Sequence, residues 1–246
     1  MKPRICILTT DGTNCNVETA HAVDLANGEP VTVHINRLRR GDVKLADFQG
    51  LIIPGGFSYG DDVASGKILA TELMSFLGDQ VREFVTRRKP ILGICNGFQV
   101  LVRMGLLPYP ATGNMHATLA HNDSGHFQCQ WVDLVRSHVT PCVFTPGMPE
   151  SFPLQMAHGE GRFVTDPTTL VSMKSDGLIV LRYKKNPNGS QDAIAGICDP
   201  TGTVFGLMPH PERLVHVTQH PNWRRQHVEP VGLSFFLNGV AYAAQL

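Results

Sequence analysis

Ile91-Leu92-Gly93-Ile94-Cys95-Asn96-Gly97-Phe98-Gln99-Val100-Leu101-Val102 is the stretch on which the fold turns. It opens as a short apolar run of strand length. It passes through a cysteine flanked by glycines and continues with Phe98, Leu101, Val102 and Gly105 recurring at helical spacing. Strand, sharp turn and helix are the context of a nucleophile elbow, here with cysteine in place of serine. Gly93 and Gly97 leave room for a strained turn, and the helix start sets partial positive charge beside Cys95. Such a position lowers a thiol pKa from about 8.5 into a range of roughly 3.5–7.5. The plainer reading, a buried structural cysteine, stays open on these residues alone.

Working outward, Arg4-Ile5-Cys6-Ile7-Leu8-Thr9 reads as a buried strand. A helix from about Val17 to Asn27 follows, stopped by Gly28, and then a strand over Val31 to Ile35. Leu51-Ile52-Ile53 is a third apolar run, and Lys67 to Arg88 has helical character. Apolar runs without alternation, separated by helix-length segments, indicate a parallel sheet covered on both faces. Past Pro108 the pattern is richer in hairpins. Phe127 to Val135 is strand-like, Leu178 to Tyr183 and Ala193 to Cys198 flank the turn Asn186-Pro187-Asn188-Gly189-Ser190, and Val204 to Met208 is another strand. A last helix spans Gly232 to Ala244, with Leu233, Phe236, Leu237, Val240 and Ala244 on its packed face. The expected fold class is α/β: a doubly wound, mostly parallel sheet with a cysteine nucleophile elbow and an antiparallel hairpin extension. Residues 1–246 are expected to form a single domain.

Lys+Arg and Asp+Glu are both 21 in a chain of 246 residues, so the electrostatic footprint of a nucleic-acid or anionic-membrane binder is missing. No segment approaches a membrane span, and Met1-Lys2-Pro3-Arg4 leads into only a brief apolar run. The six cysteines form no C-x-x-C pair, which argues against a disulfide framework or a cysteine-type metal site and for a reducing cytoplasm. No recognised ligand spacing joins the histidines at 116, 121 and 126, or those at 216, 220 and 227, so no metal is expected.

Met208-Pro209-His210-Pro211-Glu212-Arg213 supplies a candidate base. The prolines bias Met208 and His210 toward extended geometry, in which residues two apart share a side. His210 could activate Cys95 while Glu212 supports the imidazole, although a surface histidine beside a proline-rich turn is the simpler alternative. Pro54-Gly55-Gly56-Phe57-Ser58-Tyr59-Gly60-Asp61-Asp62 has glycines at phosphate-loop spacing, but carboxylates stand where Lys and Ser/Thr are required. A glycine pair after a strand can instead present backbone N–H groups to an oxyanion, or simply form a turn.

Together these segments resemble the class I (triad) glutamine amidotransferases, and within them the glutaminase subunits of phosphoribosylformylglycinamidine synthases. The more specific signs are Gly56-Phe57-Ser58-Tyr59-Gly60-Asp61, His158-Gly159-Glu160-Gly161 and Pro187-Asn188-Gly189-Ser190. The resemblance implies that Cys95 is the nucleophile, His210 the general acid/base and Glu212 its orienting partner. It places oxyanion donors at Asn96 and in the Gly55-Gly56 loop. Gln99 would help hold the substrate, with Asn122, Phe127 and the His158-Gly159-Glu160 segment lining the same pocket.

The resemblance further implies that glutamine is hydrolysed and that ammonia passes to a large formylglycinamide ribonucleotide amidotransferase synthetase subunit, often accompanied by a small bridging subunit. There it would make the amidine of purine biosynthesis. No cofactor is expected in this chain; ATP and magnesium would belong to the partner. After Gly60-Asp61 the family often continues with an aromatic and then a basic residue, where this chain has Asp62-Val63-Ala64-Ser65. Two other readings compete: a redox-sensing or non-catalytic protein on the same elbow scaffold, and an amidotransferase for another acceptor. A proton-shuttling His-Glu pair argues against the first, and the three specific segments against the second.

Overall fold

The structure is a computed structural model and describes residues 2–61, 64–110 and 114–246. Asp62 and Val63 of the departing segment, and Met1 at the start, lie outside the described residues. Strands β1 (Arg4–Thr9), β2 (Glu29–His34), β3 (Gly50–Ile53) and β4 (Ile91–Ile94) alternate with helices α1 (Asn16–Leu25), α2 (Ile35–Arg39) and α3 (Lys67–Thr86). Helix α4 (Asn96–Arg103) follows the elbow. Then come β5 (Ala117–His121), β6 (Gln128–Arg136), β7 (Ser151–His158), β8 (Glu160–Thr165), α5 (Pro167–Ser175), β9 (Ile179–Tyr183), β10 (Ile194–Cys198), β11 (Val204–Leu207) and α6 (Gly232–Ala243).

A nine-stranded sheet carries the order β2-β1-β3-β4-β11-β10-β9-β6-β7. Pairings from β2 across to β11 are parallel, and those from β11 across to β7 are antiparallel. The expected doubly wound, mostly parallel sheet with a hairpin extension is therefore found. The connection β1-α1-β2 steps one way along the sheet and β3-α3-β4 the other. Right-handed crossovers then place α1 and α3 on opposite faces. The packing agrees: α1 contacts α6, and α3 contacts α4. Strands β5 and β8 form a separate antiparallel pair.

Several expectations shift in detail. The stop of α1 is made by Asn27, which takes φ 65, and not by Gly28. Gly28 is required for closeness, since a Cβ there would stand 2.8 Å from Val23 Cγ1. Helix α4 has no exposed face: Asn96 through Val102 are all buried. The buried face of α6 is Gly232, Phe235, Phe236, Gly239, Val240 and Ala243, whereas Leu237 is exposed. The cause is Gly239, where a Cβ would come within 2.6 Å of the Phe144 ring; the helix rotates to bring its small residues onto that ring.

Candidate active site

Parallel strands deliver the site because their C-terminal ends lie along one edge of the sheet. Asp11 to Cys15 follow β1, Gly55 and Gly56 follow β3, Cys95 follows β4, and His210 and Glu212 follow β11. Since β3, β4 and β11 are consecutive neighbours, the glycine loop and the histidine loop flank the elbow on either side.

Cys95 adopts φ 52 and ψ −104, a strained conformation for a residue with a side chain, costing about 1–3 kcal/mol. The surroundings hold it there. Its N–H donates to Leu207 O at 2.8 Å, tying the turn to β11. At Gly97 a Cβ would meet Ile53 O at 1.9 Å, and at Gly93 it would meet Gly97 O at 2.7 Å, so both flanking glycines are demanded by close backbone approach. The Cys95 side chain is buried, with Sγ 3.7 Å from Ala157 O. The N–H of Asn96 opens α4 and has no acceptor within the helix.

His210 and Glu212 are both fully buried, and Nδ1 of the imidazole bonds Glu212 Oε1 at 2.5 Å. The backbone N–H of His210 donates to Gln155 O at 2.7 Å, anchoring the loop to β7. With Nδ1 committed, Nε2 is the nitrogen left for Cys95; it has no hydrogen-bond partner among the described residues. Burial by itself would push the imidazole pKa down. The Glu212 carboxylate and the Cys95 sulfur, with hydrogen bonding from Cys15 and Cys95, outweigh it and hold the ring well above its ordinary range. Burial pushes the Glu212 carboxyl up, but His210 and Arg213 hold it below its ordinary value. Both directions describe one ionised imidazolium–carboxylate pair.

The glycine loop closes over the ring. A Cβ at Gly55 would lie 2.7 Å from His210 Cε1, and Gly56, at φ 152, passes within 2.7 Å of Gly12 O measured from such a Cβ. Among the other candidate residues, Gln99 is buried, and its amide is already engaged: Nε2 donates to Glu160 O at 2.5 Å, and Oε1 accepts from Asn96 Nδ2 at 3.0 Å. Asn122 is buried as a brace, donating to His158 O at 2.8 Å and to His126 O at 3.0 Å. Phe127 lies on the surface, its ring centroid 6.2 Å from that of Phe57 at the tip of the glycine loop. His158 is buried, with Nδ1 3.1 Å from Asn122 Oδ1. Burial, with His210 close by, lowers its pKa to about 4, so it is neutral at working pH.

Cys15 was not among the residues singled out from sequence, although it lies just beyond the first apolar strand as Cys95 lies just beyond the fourth. Its Sγ is 4.0 Å from His210 Nδ1. Cys15, His210 and Glu212 carry ligand-type atoms within 4.8 Å of one another. Their arrangement does not suit a metal ion. The 2.5 Å bond between His210 and Glu212 leaves no room for one, and Arg213 already places a cation beside both Cys15 and Glu212. Among the other histidines, His220 packs edge-on against Trp131, and His216 pairs with His21 at 2.8 Å between Nε2 atoms. No helix among the described residues is long and apolar enough to cross a membrane.

Residues 2–243 match the CobB/CobQ-like glutamine amidotransferase domain. The phosphoribosylformylglycinamidine synthase subunit PurQ of Dehalococcoides mccartyi is 42% identical over 254 residues, covering 100% of this chain and 99% of that protein. Its counterpart in Methanococcus maripaludis is 41% identical over 236 residues, covering 90% of this chain and 86% of that protein. A chain in the structure of PurLQS from Thermotoga maritima superposes with a TM-score of 0.77 at 36% identity, over 96% of this chain and 98% of that one. The chain belongs to the CobB/CobQ-like glutamine amidotransferases, in the group whose full-length relatives are PurQ subunits of phosphoribosylformylglycinamidine synthase.

Proposed function

We propose that the protein is the glutaminase subunit of a phosphoribosylformylglycinamidine synthase and that Cys95, His210 and Glu212 are its catalytic triad, carried by a single domain over residues 1–246. The observation that supports this reading is the buried His210–Glu212 ion pair set beside a strained, elbow-borne thiol. The raised imidazole favours a proton on His210 and a thiolate on Cys95. The thiolate attacks the side-chain carbonyl carbon of glutamine, forming an S–C bond. The resulting oxyanion is met by the N–H of Asn96 and by the Gly55-Gly56 loop. His210 gives its Nε2 proton to the departing nitrogen, and ammonia leaves. The now neutral His210 takes a proton from water, whose oxygen attacks the thioester; the thiolate departs and glutamate is formed.

Gln99 and Asn122 serve this site by bracing its walls, and Phe127 with Phe57 borders the approach. Ammonia passes to a large synthetase subunit, as the relatives' assignment to a multi-subunit synthase supports. ATP and magnesium belong to that partner in this reading, and the assembly works in the cytoplasm. A glutamine-analogue electrophile is expected to add its mass to the peptide containing Cys95; exclusive labelling of another cysteine would sink the assignment. In the complex with the synthetase, Cys95→Ala should abolish glutamine-dependent amidine formation and retain the ammonia-dependent reaction.

A further inference from the structure

Beneath the His210–Glu212 pair lies a second layer of side chains that the reaction as described does not use. The Arg213 guanidinium is held at three points. Nε is 3.8 Å from Glu212 Oε1, Nη1 donates to Gln155 Oε1 at 3.2 Å, and Nη2 donates to Cys15 Sγ at 3.5 Å. Gln155 is also the residue whose backbone oxygen receives the His210 N–H, so one residue of β7 fixes both the guanidinium and the imidazole backbone. Cys15 is equally constrained. Its N–H donates to Gly55 O at 3.3 Å, its own carbonyl accepts from Thr19 N and Thr19 Oγ1, and its thiol donates to Asn14 Oδ1 at 3.2 Å. The sulfur thus stands between the Nδ1 edge of His210 and the guanidinium.

We propose that Cys15 and Arg213 are a positioning pair for the glutaminase reaction, in which the guanidinium, steadied by the Cys15 sulfur and Gln155, fixes the orientation and charge of Glu212 and through it of His210. The need for such a pair is electrostatic. Glu212 is fully buried and its Oε2 has no hydrogen-bond partner among the described residues, a costly state for a carboxylate unless cations flank it. His210 supplies one and Arg213 the other. The ionisable and charged groups facing this centre are Cys95 from the elbow, Cys15 from the start of α1, His158 from β7, Tyr183 from β9, and Glu212 and Arg213 from the loop after β11. His158 is neutral above about 4, and burial keeps the Tyr183 hydroxyl protonated. Arg213 is therefore the one permanent cation among them. Its removal weakens the field that favours anions at this centre, and the Cys95 sulfur lies within that field.

The inference rests on the triad reading, and the test separates the two. The pH dependence of Cys95 alkylation is followed by peptide-resolved mass spectrometry in the full chain, and glutaminase kinetics are measured in the complex with the synthetase. Variants are Arg213→Met, Arg213→Lys, Cys15→Ala, the Cys15→Ala/Arg213→Met double variant, Cys95→Ala and His210→Ala. Arg213→Met should move the alkylation midpoint upward and cut kcat by about tenfold to hundredfold, with KM for glutamine within about threefold. Arg213→Lys should restore the midpoint but only part of kcat, because ammonium lacks the planar fork. The double variant should be no worse than Arg213→Met, since residues acting as a unit are non-additive. If Arg213→Met does not fold, Arg213→Gln takes its place. An unmoved midpoint with unchanged kcat, or fully additive losses, overturns the positioning pair. Glutaminase surviving in Cys95→Ala or His210→Ala overturns the triad itself.

Discussion

Glu212→Gln isolates the charge of the proposed triad's third member with almost no change in shape. In the wild-type fold the carboxylate meets Nδ1 of His210 at 2.5 Å, and both side chains are buried. The imidazole is raised because the carboxylate and the Cys95 sulfur overcome a burial effect of opposite sign. Once the carboxylate is neutral, burial dominates and His210 falls toward or below its ordinary range. It is then largely neutral near pH 7.5, and the imidazolium that protonates ammonia in the proposed mechanism is lost. A hydrogen bond to a charged group contributes about 1.5–3 kcal/mol, which corresponds to a loss of roughly tenfold to 150-fold in kcat/KM. If the glutamine turns its NH2 toward Nδ1, the wrong tautomer results, and losses of about 10⁴-fold become the relevant scale.

Stability follows the same pair. The Glu212 carboxyl is held below its unfolded value, so its contribution is present above the unfolded carboxyl pKa and is lost as pH falls through the folded value. The His210 imidazole is held above its unfolded value, so its contribution is complete below about 6.5 and is lost as pH rises through the raised value. The stability difference between wild type and Glu212→Gln should therefore be largest between those limits. Denaturant melts at stepped pH check this, alongside steady-state glutaminase assays in the complex. A variant with kcat/KM within about threefold of wild type and a flat stability difference across pH would refute the electrostatic role of Glu212.

Three further outcomes follow from particular contacts. Gly97→Ala should destabilise the fold by at least the roughly 1–3 kcal/mol of an overpacked core, because its Cβ would stand 1.9 Å from a backbone oxygen that cannot swing aside; a thermal melt reads this. His158→Gln should flatten the acid limb of stability. The folded imidazole, at about 4, binds fewer protons than the unfolded one near 6.5, so the wild type loses up to about 3 kcal/mol between those values that the variant keeps, measured by denaturant melts from pH 4 to 7. Phe127→Ala, at a residue 53% exposed, should leave stability within about 0.5 kcal/mol and raise KM for glutamine in the complex.

The parallel half of the fold was legible because its strands are buried on both faces and read as unbroken apolar runs. The hairpin half was less so. Strand β7 alternates buried and partly exposed residues along Phe152, Leu154, Met156 and His158, the pattern of a half-buried strand, yet Pro153 interrupts it. Proline is tolerated there because β7 is the outermost strand of the sheet. Strands β5 and β8 are hidden for another reason: they are a short isolated pair, and the sequence marks the start of β8 only through the motif His158-Gly159-Glu160-Gly161. Helix α5 carries a readable start, with Asp166 accepting from Thr169 N and Pro167 in the first turn. Met173 alone of its residues is buried, so it shows almost no periodicity.

The site divides along the same physical line. Gly55, Cys95 and His210 sit at the ends of three adjacent strands, β3, β4 and β11, roughly 4.8 Å apart in a sheet. In the proposed mechanism the thiol meets an oxyanion-binding loop on one side and a base on the other, and the middle strand of the trio gives it that place. Sequence shows the three strand ends; their adjacency comes from the chain returning after more than a hundred residues to lay β11 beside β4, a pairing no local pattern records. The contact of Cys15 with Arg213 is of the same kind. Each looks unremarkable beside its own neighbours in the chain, one at a helix start and one after a proline-rich turn. They meet at 3.5 Å only because β1 and β11 end on the same edge of the sheet. A side chain that acts through another side chain leaves its signal in the contact between strand ends, and the residues on either side of it in the chain carry none.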